Sequence, residues 1–202
     1  MNTVKFKNKL ITPSKIVCIG RNYVGHIKEM DSETPSEPVI FMKPNSAISD
    51  TLTADIEVPN HYEAEICFLI KGGKLNAVGF GLDLTKRSVQ KVLKQKGLPW
   101  ERAKAFDGSA VFSEFVVFDS LKDLSLELKI NNKIIQQANY DLMIHKPQAI
   151  LIEIQKQFSL IDGDIIMTGT PKGVGSINQG DVFIGGVSEG GAVLIEQKWV
   201  VE

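Results

Sequence analysis

The segment from His61 to Glu65 carries side chains that could bind a metal ion. It reads HYEAE and runs directly into the apolar stretch ICFLI, which favours a β-strand. Because successive strand side chains alternate between faces, His61, Glu63 and Glu65 should project from one face. Neighbouring carboxylates repel each other unless a cation lies between them, and hard ions such as Mg²⁺ or Mn²⁺ prefer oxygen ligands. The alternative is an exposed strand face whose acidic groups point into water.

Asp83 is a third acidic candidate. It ends the apolar, glycine-rich stretch AVGFGLDLT, where a buried carboxylate without a partner would be costly. With Glu63 and Glu65 it would leave part of an octahedral coordination shell open to water and substrate. The alternative is helix capping, because either Asp83 or Thr85 could begin the helix that follows.

His26 and Glu29 form a second candidate pair, in the stretch HIKE. If this stretch is helical, both side chains lie on one face. A carboxylate beside an imidazole raises its basicity and fixes its tautomer, as a general base acting on water requires. The polar loop DSETPSEP follows, so a short helix and loop could act as a mobile lid. A surface pair of little consequence is the alternative.

Cationic side chains could contact an anionic substrate, although each alone could equally be a solvated surface charge. The candidates are Arg21, Lys43, Arg87, Lys104 and Lys172. The stretch TGTP, which includes Thr170, follows a strand candidate and could present hydroxyl and backbone N–H groups to a substrate. A plain tight turn would also explain it.

The composition is that of an ordinary globular protein. The chain has 202 residues, of which 43% are hydrophobic and 23% charged, so we expect a single domain over residues 1–202. A net charge of -1 gives no reason to expect nucleic acid or an anionic membrane as a partner. No signal peptide or membrane-spanning run is apparent, which indicates a cytoplasmic protein. Cys18 and Cys67 lie in apolar runs and are expected to be buried free thiols.

The remaining pattern predicts the elements that position these side chains. Helices are predicted over Thr85–Lys96 and Pro147–Phe158, with a shorter one after Gly20. Strands outnumber helices and rarely alternate with them, which favours an α+β, largely antiparallel architecture. Strand candidates with the clearest pattern are Val4–Phe6, Ile16–Ile19, Phe115–Phe118, Leu124–Ile130 and Lys133–Asn139.

The order and spacing of several motifs resemble the fumarylacetoacetate hydrolase family. The motifs are IGRNYVGHIKEM, FMKP, HYEAEICFLI, GFGLDLTKRSVQ, KGLPWERAKAFDGSAVFSEFV and DGDIIMTGTPKGVG. From about Lys15 to the C-terminus the chain is similar to the short, single-domain acylpyruvase branch. That branch also includes oxaloacetate decarboxylases and isomerases of aromatic degradation. The resemblance implies a strand-rich mixed β-roll with a few short helices, assembled as a homodimer.

The resemblance also implies roles for individual residues. Glu63, Glu65 and Asp83 match metal ligands, usually for Mg²⁺ or Mn²⁺, although oxygen ligands would also suit Ca²⁺. His26 and Glu29 match a water-activating dyad carried by a lid. Substrate contacts are implied or suggested at Arg21, Lys43, Arg87, Gln90, Lys104 and Thr170. Arg21 and Asn22 stand where longer family members carry a fourth acidic ligand, so three carboxylates are expected. His145 occupies a position at which relatives generally have a hydroxyl or apolar residue, and no role follows for it.

The function implied is metal-dependent hydrolysis of the C–C bond of 3-acylpyruvates, which releases pyruvate and a carboxylic acid. Decarboxylation of oxaloacetate needs the same stabilised enolate and could share the site. The alternative within enzymes is an isomerase or decarboxylase of 2-hydroxy-2,4-dienedioates. A module that binds keto acids without turnover is the alternative outside enzymes.

Overall fold

Four α-helices and sixteen strands make up the fold, and the computed structural model describes residues 1–202. The helices are α1 (Val24–Glu29), α2 (Arg87–Gln95), α3 (Glu101–Lys104) and α4 (Pro147–Gln157). The strands are β1 (Val4–Phe6), β2 (Lys9–Ile11), β3 (Lys15–Gly20), β4 (Val39–Pro44), β5 (Ile48–Ser49), β6 (Asn60–Tyr62), β7 (Ala64–Lys71), β8 (Lys74–Asp83), β9 (Thr85–Lys86), β10 (Ala110–Phe112), β11 (Leu124–Ile130), β12 (Lys133–Asn139), β13 (Ile165–Met167), β14 (Gly175–Ser176), β15 (Val182–Glu189) and β16 (Ala192–Val200). The predicted strand-rich α+β architecture is confirmed.

Seven strands form the central sheet, in the order β4-β3-β13-β7-β8-β10-β5. The pairs β3–β13 and β5–β10 are parallel, and the other neighbours are antiparallel. Nearly all of β7 and the second half of β8 are buried, so both faces of this hairpin are covered. That burial explains why the two strands read as continuous apolar runs instead of alternating with polar residues.

A second sheet, in the order β12-β11-β15-β16, packs against the central one. Phe80 of β8 belongs to the same buried cluster as Phe183 and Trp199 of the second sheet. Gly185 of β15 faces the Phe80 ring so closely that a Cβ there would lie 2.3 Å from its carbon atoms. Glycine therefore permits the close approach of the two sheets, and this packing fixes the back of the β7–β8 hairpin.

The helix after Asp83 begins later than predicted. Thr85 and Lys86 form β9, which pairs with β6 in a small sheet of order β14-β6-β9, and only then does α2 begin. Gly97 follows the helix with φ +62°, a left-handed conformation that glycine adopts without steric cost. The predicted end of this helix at the glycine is confirmed, and β9 holds its start against the strand that leads to Glu63.

The strand predicted over Phe115–Phe118 is wrong. Only isolated pairings occur there, between Phe6 and Phe115 and between Val78 and Val116, and the regular strand in this region is β10. Phe115 is completely buried, so the apolar pattern reflected core packing and not a strand ladder. The helix predicted over Pro147–Phe158 is confirmed as α4, one residue shorter because Phe158 is extended.

Cys18 and Cys67 are buried free thiols, as predicted. They lie on β3 and β7, and each pairs in register with Met167 of the intervening strand β13. A whole strand therefore separates the two cysteines. No helix is long and apolar enough to cross a membrane. The single-domain assignment and the homodimer implied by resemblance stay predictions.

Candidate active site

The β7–β8 hairpin brings the predicted carboxylates together. Glu63 lies in the one-residue break between β6 and β7, Glu65 is the second residue of β7, and Asp83 is the last of β8. The backbone N–H of Asp83 donates to the carbonyl oxygen of Glu63 at 2.9 Å, which closes the open end of the hairpin. One carboxylate oxygen from each side chain lies within 4.8 Å of the others, and all three residues are buried. The exposed-face and helix-cap alternatives are both wrong.

Cationic side chains surround two of these carboxylates. Lys104 Nζ donates to Glu63 Oε2 at 2.8 Å and to Asp83 Oδ2 at 2.7 Å. Arg87 Nη2 donates to the other oxygen of Glu63, Oε1. Burial alone would raise the pKa of Glu63, but the charges of Lys104 and Arg87 hold that pKa well below its ordinary range. Glu63 is therefore ionised at neutral pH.

Glu65 has no cation within ion-pair distance. Its Oε2 accepts a hydrogen bond from the backbone N–H of Gly169 at 2.6 Å. Burial raises the pKa of Glu65, and the negative charges of Asp83 and Glu63 raise it further. A carboxylate in this position is stabilised by a bound cation. The donor set is all oxygen and closely spaced, so it fits a hard divalent metal ion.

The imidazole of His26 is held from one side by Glu29. Its Nδ1 lies 3.2 Å from Glu29 Oε2, and Glu29 Oε1 accepts from the backbone N–H of Gly173 at 2.9 Å. Both residues belong to α1, and His26 is buried while Glu29 is partly exposed. An ionised carboxylate can only accept hydrogen bonds, so in the neutral form of the imidazole Nδ1 carries the proton and the lone pair lies on Nε2.

A pocket with a cavity volume of about 30 Å³ opens next to Glu63, Glu65 and Asp83, which we call the carboxylate triad. This volume is about the share of one water molecule in the liquid, so a substrate enters only when the walls of the pocket move apart. The predicted residues on its walls are Arg21, His26, Glu63, Glu65, Arg87, Gln90, Lys104 and Thr170. Most residues predicted from the sequence as functional are thus brought to one cavity. His61, by contrast, lies off its walls, with its Nε2 3.3 Å from the hydroxyl of Ser176.

Lys43 lies behind the carboxylates and not on the pocket wall. Its side chain is completely buried, and its Nζ lies 2.9 Å from Asp83 Oδ1. The same ammonium group donates to the carbonyl oxygens of Leu84, at 3.3 Å, and Lys104. Lys43 therefore ties the end of β8 to the end of α3, away from the place where a substrate contact was expected. Lys172 is likewise absent from the walls of the pocket.

Gln136 is a site residue that the sequence did not indicate. Its Oε1 accepts from the backbone N–H of Ala64 at 3.0 Å, and its Nε2 donates to Thr170 Oγ1 at 3.0 Å and to the Pro171 carbonyl at 2.9 Å. This buried amide joins the TGTP turn to the start of β7, directly beside Glu63. In the sequence it is one of two adjacent glutamines in the strand KIIQQAN, and nothing in the pattern distinguishes it from its neighbour.

Asn22 has a similar positioning contact. Its Nδ2 donates to the carbonyl oxygens of Thr168, at 2.8 Å, and His145, at 3.0 Å, while its Oδ1 accepts from the His145 N–H at 2.7 Å. The segment before the pocket residue Thr170 is thereby fixed to the turn after β3. The backbone of His145 takes part in this contact, and its imidazole Nε2 is buried without a partner.

Lys94 is the third residue missed. It lines the pocket together with Trp100, and its ammonium group lies 5.3 Å from the centre of the Trp100 ring. The sequence did contain a signal, because Arg87, Gln90 and Lys94 are spaced by three and four residues and so share one helix face. All three line the pocket.

Comparisons with known proteins show which sequences and folds this chain resembles. The family model described as "Fumarylacetoacetate (FAA) hydrolase C-terminal" matches residues 15–194. The oxaloacetate tautomerase YcgM of Escherichia coli is 39% identical, over 83% of this chain and 85% of that protein. A candidate fumarylacetoacetate isomerase/hydrolase from Oleispira antarctica has a structure with a TM-score of 0.95 and 34% identity, covering 100% of both chains. The fumarylpyruvate hydrolase of Pseudomonas aeruginosa, solved with Mn²⁺ and pyruvate, has a TM-score of 0.87 and 25% identity, covering 99% of this chain and 95% of that one.

Proposed function

This chain belongs to the fumarylacetoacetate hydrolase family, and on that premise we propose that it is a divalent-metal-dependent enzyme that interconverts the keto and enol forms of oxaloacetate. The observation that carries the proposal is the position of His26. This buried imidazole, tethered through Nδ1 to Glu29, lines the same pocket as Glu63 and Glu65. Tautomerisation needs a base beside a site that stabilises an enolate, and it needs no attacking water.

Glu63, Glu65 and Asp83 would hold the metal ion. Mg²⁺ is our first choice, with Mn²⁺ and Ca²⁺ as alternatives, because all three accept carboxylate oxygens as ligands. Mn²⁺ accompanies pyruvate in the related fumarylpyruvate hydrolase structure. When bound, such an ion supplies Lewis-acid polarisation of the 2-oxo group of the substrate.

His26 would move the proton. With Nδ1–H donated to Glu29, the free lone pair on Nε2 can accept a proton from C3 of the keto form. Returning that proton from Nε2 to the oxygen on C2 gives the enol, and the reverse order gives the ketone. Glu29 stabilises the transient imidazolium through its negative charge, and its own contact with the Gly173 N–H keeps it in place.

Lys104 and Thr170 would bind the reacting end of the substrate. The Lys104 ammonium group lies at the pocket wall and already bridges Glu63 and Asp83, so it is positioned without a conformational search. It adds positive charge where the enolate oxygen develops, which lowers the barrier more than a mobile surface lysine could. Arg87 and Gln90, hydrogen-bonded to each other at 2.8 Å, are the proposed contacts of the carboxylate on C1.

Hydrolysis of 3-acylpyruvates is the second candidate. It is favoured by the His26–Glu29 pair, which could equally deprotonate a water molecule, and by likeness to a fumarylpyruvate hydrolase. Oxaloacetate decarboxylation shares the enolate and would be a side reaction of the same site. The distinction lies in what His26 deprotonates, the substrate carbon or a water.

A substrate panel tests the proposal. The metal-loaded protein would be assayed for loss of the ultraviolet absorbance of enol-oxaloacetate, for pyruvate release from oxaloacetate, for cleavage of acetylpyruvate and for turnover of a 2-hydroxy-2,4-dienedioate. We expect tautomerisation to be the fastest of these, and to stop with chelator. Enol-to-keto conversion no faster than in buffer, while acetylpyruvate is cleaved, would overturn the proposal in favour of hydrolysis.

A further inference from the structure

We propose that Lys94 and Arg21 form a carboxylate-binding subsite that selects substrates with a second carboxylate group, remote from the carboxylate next to the keto group. The inference rests on the proposed function in one respect, since it specifies the substrate class at the same pocket. It assigns the two residues to the far end of a 2-oxo dicarboxylate. The end that undergoes chemistry is left to the residues already described.

Lys94 is aimed into the pocket by its helix. It lies on the same helix face as Arg87 and Gln90, and all three line the cavity. Its ammonium group lies 5.3 Å from the centre of the Trp100 ring, a cation–π contact that limits the freedom of the side chain. The side chain is half-buried, unlike Lys91 on the exposed face of the same helix.

Arg21 reaches the same cavity from the end of β3. Its backbone has φ +56°, a left-handed conformation that is costly for a residue with a Cβ and that concentrates at functional sites. The guanidinium Nε is buried and without a hydrogen-bond partner. The one hydrogen bond that its side chain makes is a long one of 3.5 Å, from Nη1 to the carbonyl oxygen of Glu33. The guanidinium group of Arg21 therefore has N–H donors available for a ligand.

The charge balance of the pocket separates these two cations from the others. Arg87 and Lys104 are already paired with the triad carboxylates. Neither Lys94 nor Arg21 has an acidic side chain within ion-pair distance, and the pKa of Lys94 is lowered by burial and by the charges of Arg21 and Arg87. Two unneutralised cations that repel each other in a partly desolvated cavity are stabilised by an anion between them.

Oxaloacetate has a second carboxylate, at C4, that can serve as this anion. A 3-acylpyruvate with an alkyl tail has only the carboxylate next to its keto group. Lys94 and Arg21 line the same pocket as Glu63 and Glu65, so one ligand in that pocket can contact both the subsite and the triad. A C4 dicarboxylate could bind the triad region with its 2-oxo acid end and Lys94 and Arg21 with its C4 carboxylate. The pocket would then favour dicarboxylates over neutral-tailed substrates.

A matched pair of inert ligands tests the subsite without relying on turnover. Malate has both carboxylates of oxaloacetate but cannot enolise, and lactate lacks only the distal carboxylate group. Binding of each to the Mg²⁺-loaded full chain would be measured by calorimetry for the wild type, Lys94→Met and the control Lys91→Met. We expect Lys94→Met to weaken malate binding by about tenfold to a hundredfold, as for loss of a charged hydrogen bond. Lactate binding should change less than about twofold, and Lys91→Met should change neither.

Two further measurements separate the outcomes. Lys94→Arg should keep the preference for malate, and Lys94→Met should lower kcat/KM for oxaloacetate more than for acetylpyruvate.

Equal weakening of malate binding and lactate binding in Lys94→Met, or a wild type that binds both ligands alike, would overturn the subsite. If malate discrimination behaves as expected but oxaloacetate is not tautomerised, only the proposed function fails. If oxaloacetate is tautomerised but Lys94→Met binds malate normally, only the subsite fails.

Discussion

The ammonium group of Lys43 lies 2.9 Å from Oδ1 of Asp83, and the two side chains are 0% and 1% exposed. The contact is ionic and lacks good hydrogen-bond geometry, since Oδ1 accepts no hydrogen bond. Asp83 receives the hydrogen bond of Lys104 on its other oxygen. Asp83, a candidate metal ligand, thus lies between the buried Lys43 and Lys104, which lines the pocket. The buried ion pair fixes the direction in which Asp83 presents its carboxylate.

Replacing Lys43 by methionine should destabilise the fold. The substitution keeps most of the volume but removes one of the two ammonium groups paired with the buried charge of Asp83. Complete loss of a buried partner typically costs about 3–5 kcal/mol, and because Lys104 remains we expect a loss of about 2–3 kcal/mol. Urea unfolding at neutral pH would measure the change in free energy of unfolding. The matched control is Lys86→Met, which breaks a half-exposed pair with Asp55 at 2.9 Å and should cost at most about 1 kcal/mol. Equal losses in the two variants would contradict a special role for Lys43.

Glu65 should contribute more to metal binding than to the stability of the fold. We expect Glu65→Gln to weaken Mn²⁺ affinity more than about a hundredfold, since loss of an outer-shell partner alone costs roughly tenfold to a hundredfold. In the presence of a chelator the variant should be at least as stable as the wild type, because it removes a buried charge beside Asp83 and Glu63. Metal titration and thermal unfolding would check the two halves. A variant that unfolds more readily in chelator would mean that Glu65 supports the fold itself.

The carboxylate triad could be predicted from the sequence because its determinants are local. Glu63 and Glu65 lie two residues apart at the start of an apolar strand, and Asp83 ends the strand that pairs with it. Strand alternation predicted His61 on the same face, but the one-residue break at Glu63 turns the chain before β7 begins. The pattern therefore identified the acids correctly and misplaced the histidine.

Contacts between distant segments could not be predicted in this way. Lys104 reaches Glu63 across 41 positions from a helix of four residues, too short to leave a periodic pattern. Gln136 reaches Ala64 across 72 positions from a strand of the other sheet. Such contacts depend on how the two sheets pack, and no single strand or helix encodes that packing. Lys94 could have been predicted as a pocket residue, because its spacing from Arg87 and Gln90 places it on the same helix face.

The acid stability of the chain should depend on Asp164. Its side chain is buried, and it accepts from the hydroxyl of Ser14 at 2.7 Å, from the ammonium group of Lys15 and from the backbone N–H of Ile161 at 3.0 Å. Burial opposes ionisation, but these donors, Lys15 first, lower the pKa of Asp164 below the ordinary 3.8. The folded state therefore holds the ionised form more tightly than the unfolded chain does.

A carboxyl group with a lowered pKa contributes stability above its ordinary value and loses it as the pH falls through the folded-state value. We expect the free energy of unfolding of the wild type to fall as the pH drops below about 4. Asp164→Asn should lose about 1–3 kcal/mol at neutral pH and show a flatter acid limb. Urea unfolding from neutral to acid pH would measure both, with the exposed Asp119→Asn as control. Parallel curves for wild type and Asp164→Asn would contradict the assignment.

His26 should matter for proton transfer and little for binding. Removing a general base typically costs roughly 10²–10⁴-fold in rate, so His26→Ala should lower kcat for tautomerisation by that amount with KM nearly unchanged. Affinity for Mn²⁺ and for malate should stay within about threefold, because His26 makes no hydrogen bond to the triad carboxylates or to Lys94.

Glu29→Gln should lower kcat less than His26→Ala does, since it removes the charge beside Nδ1 but leaves Nε2 in the pocket. Lys28→Ala, exposed on the same helix, is the matched control. A His26→Ala variant that tautomerises oxaloacetate at the wild-type rate, but no longer cleaves acetylpyruvate, would assign the imidazole to water activation.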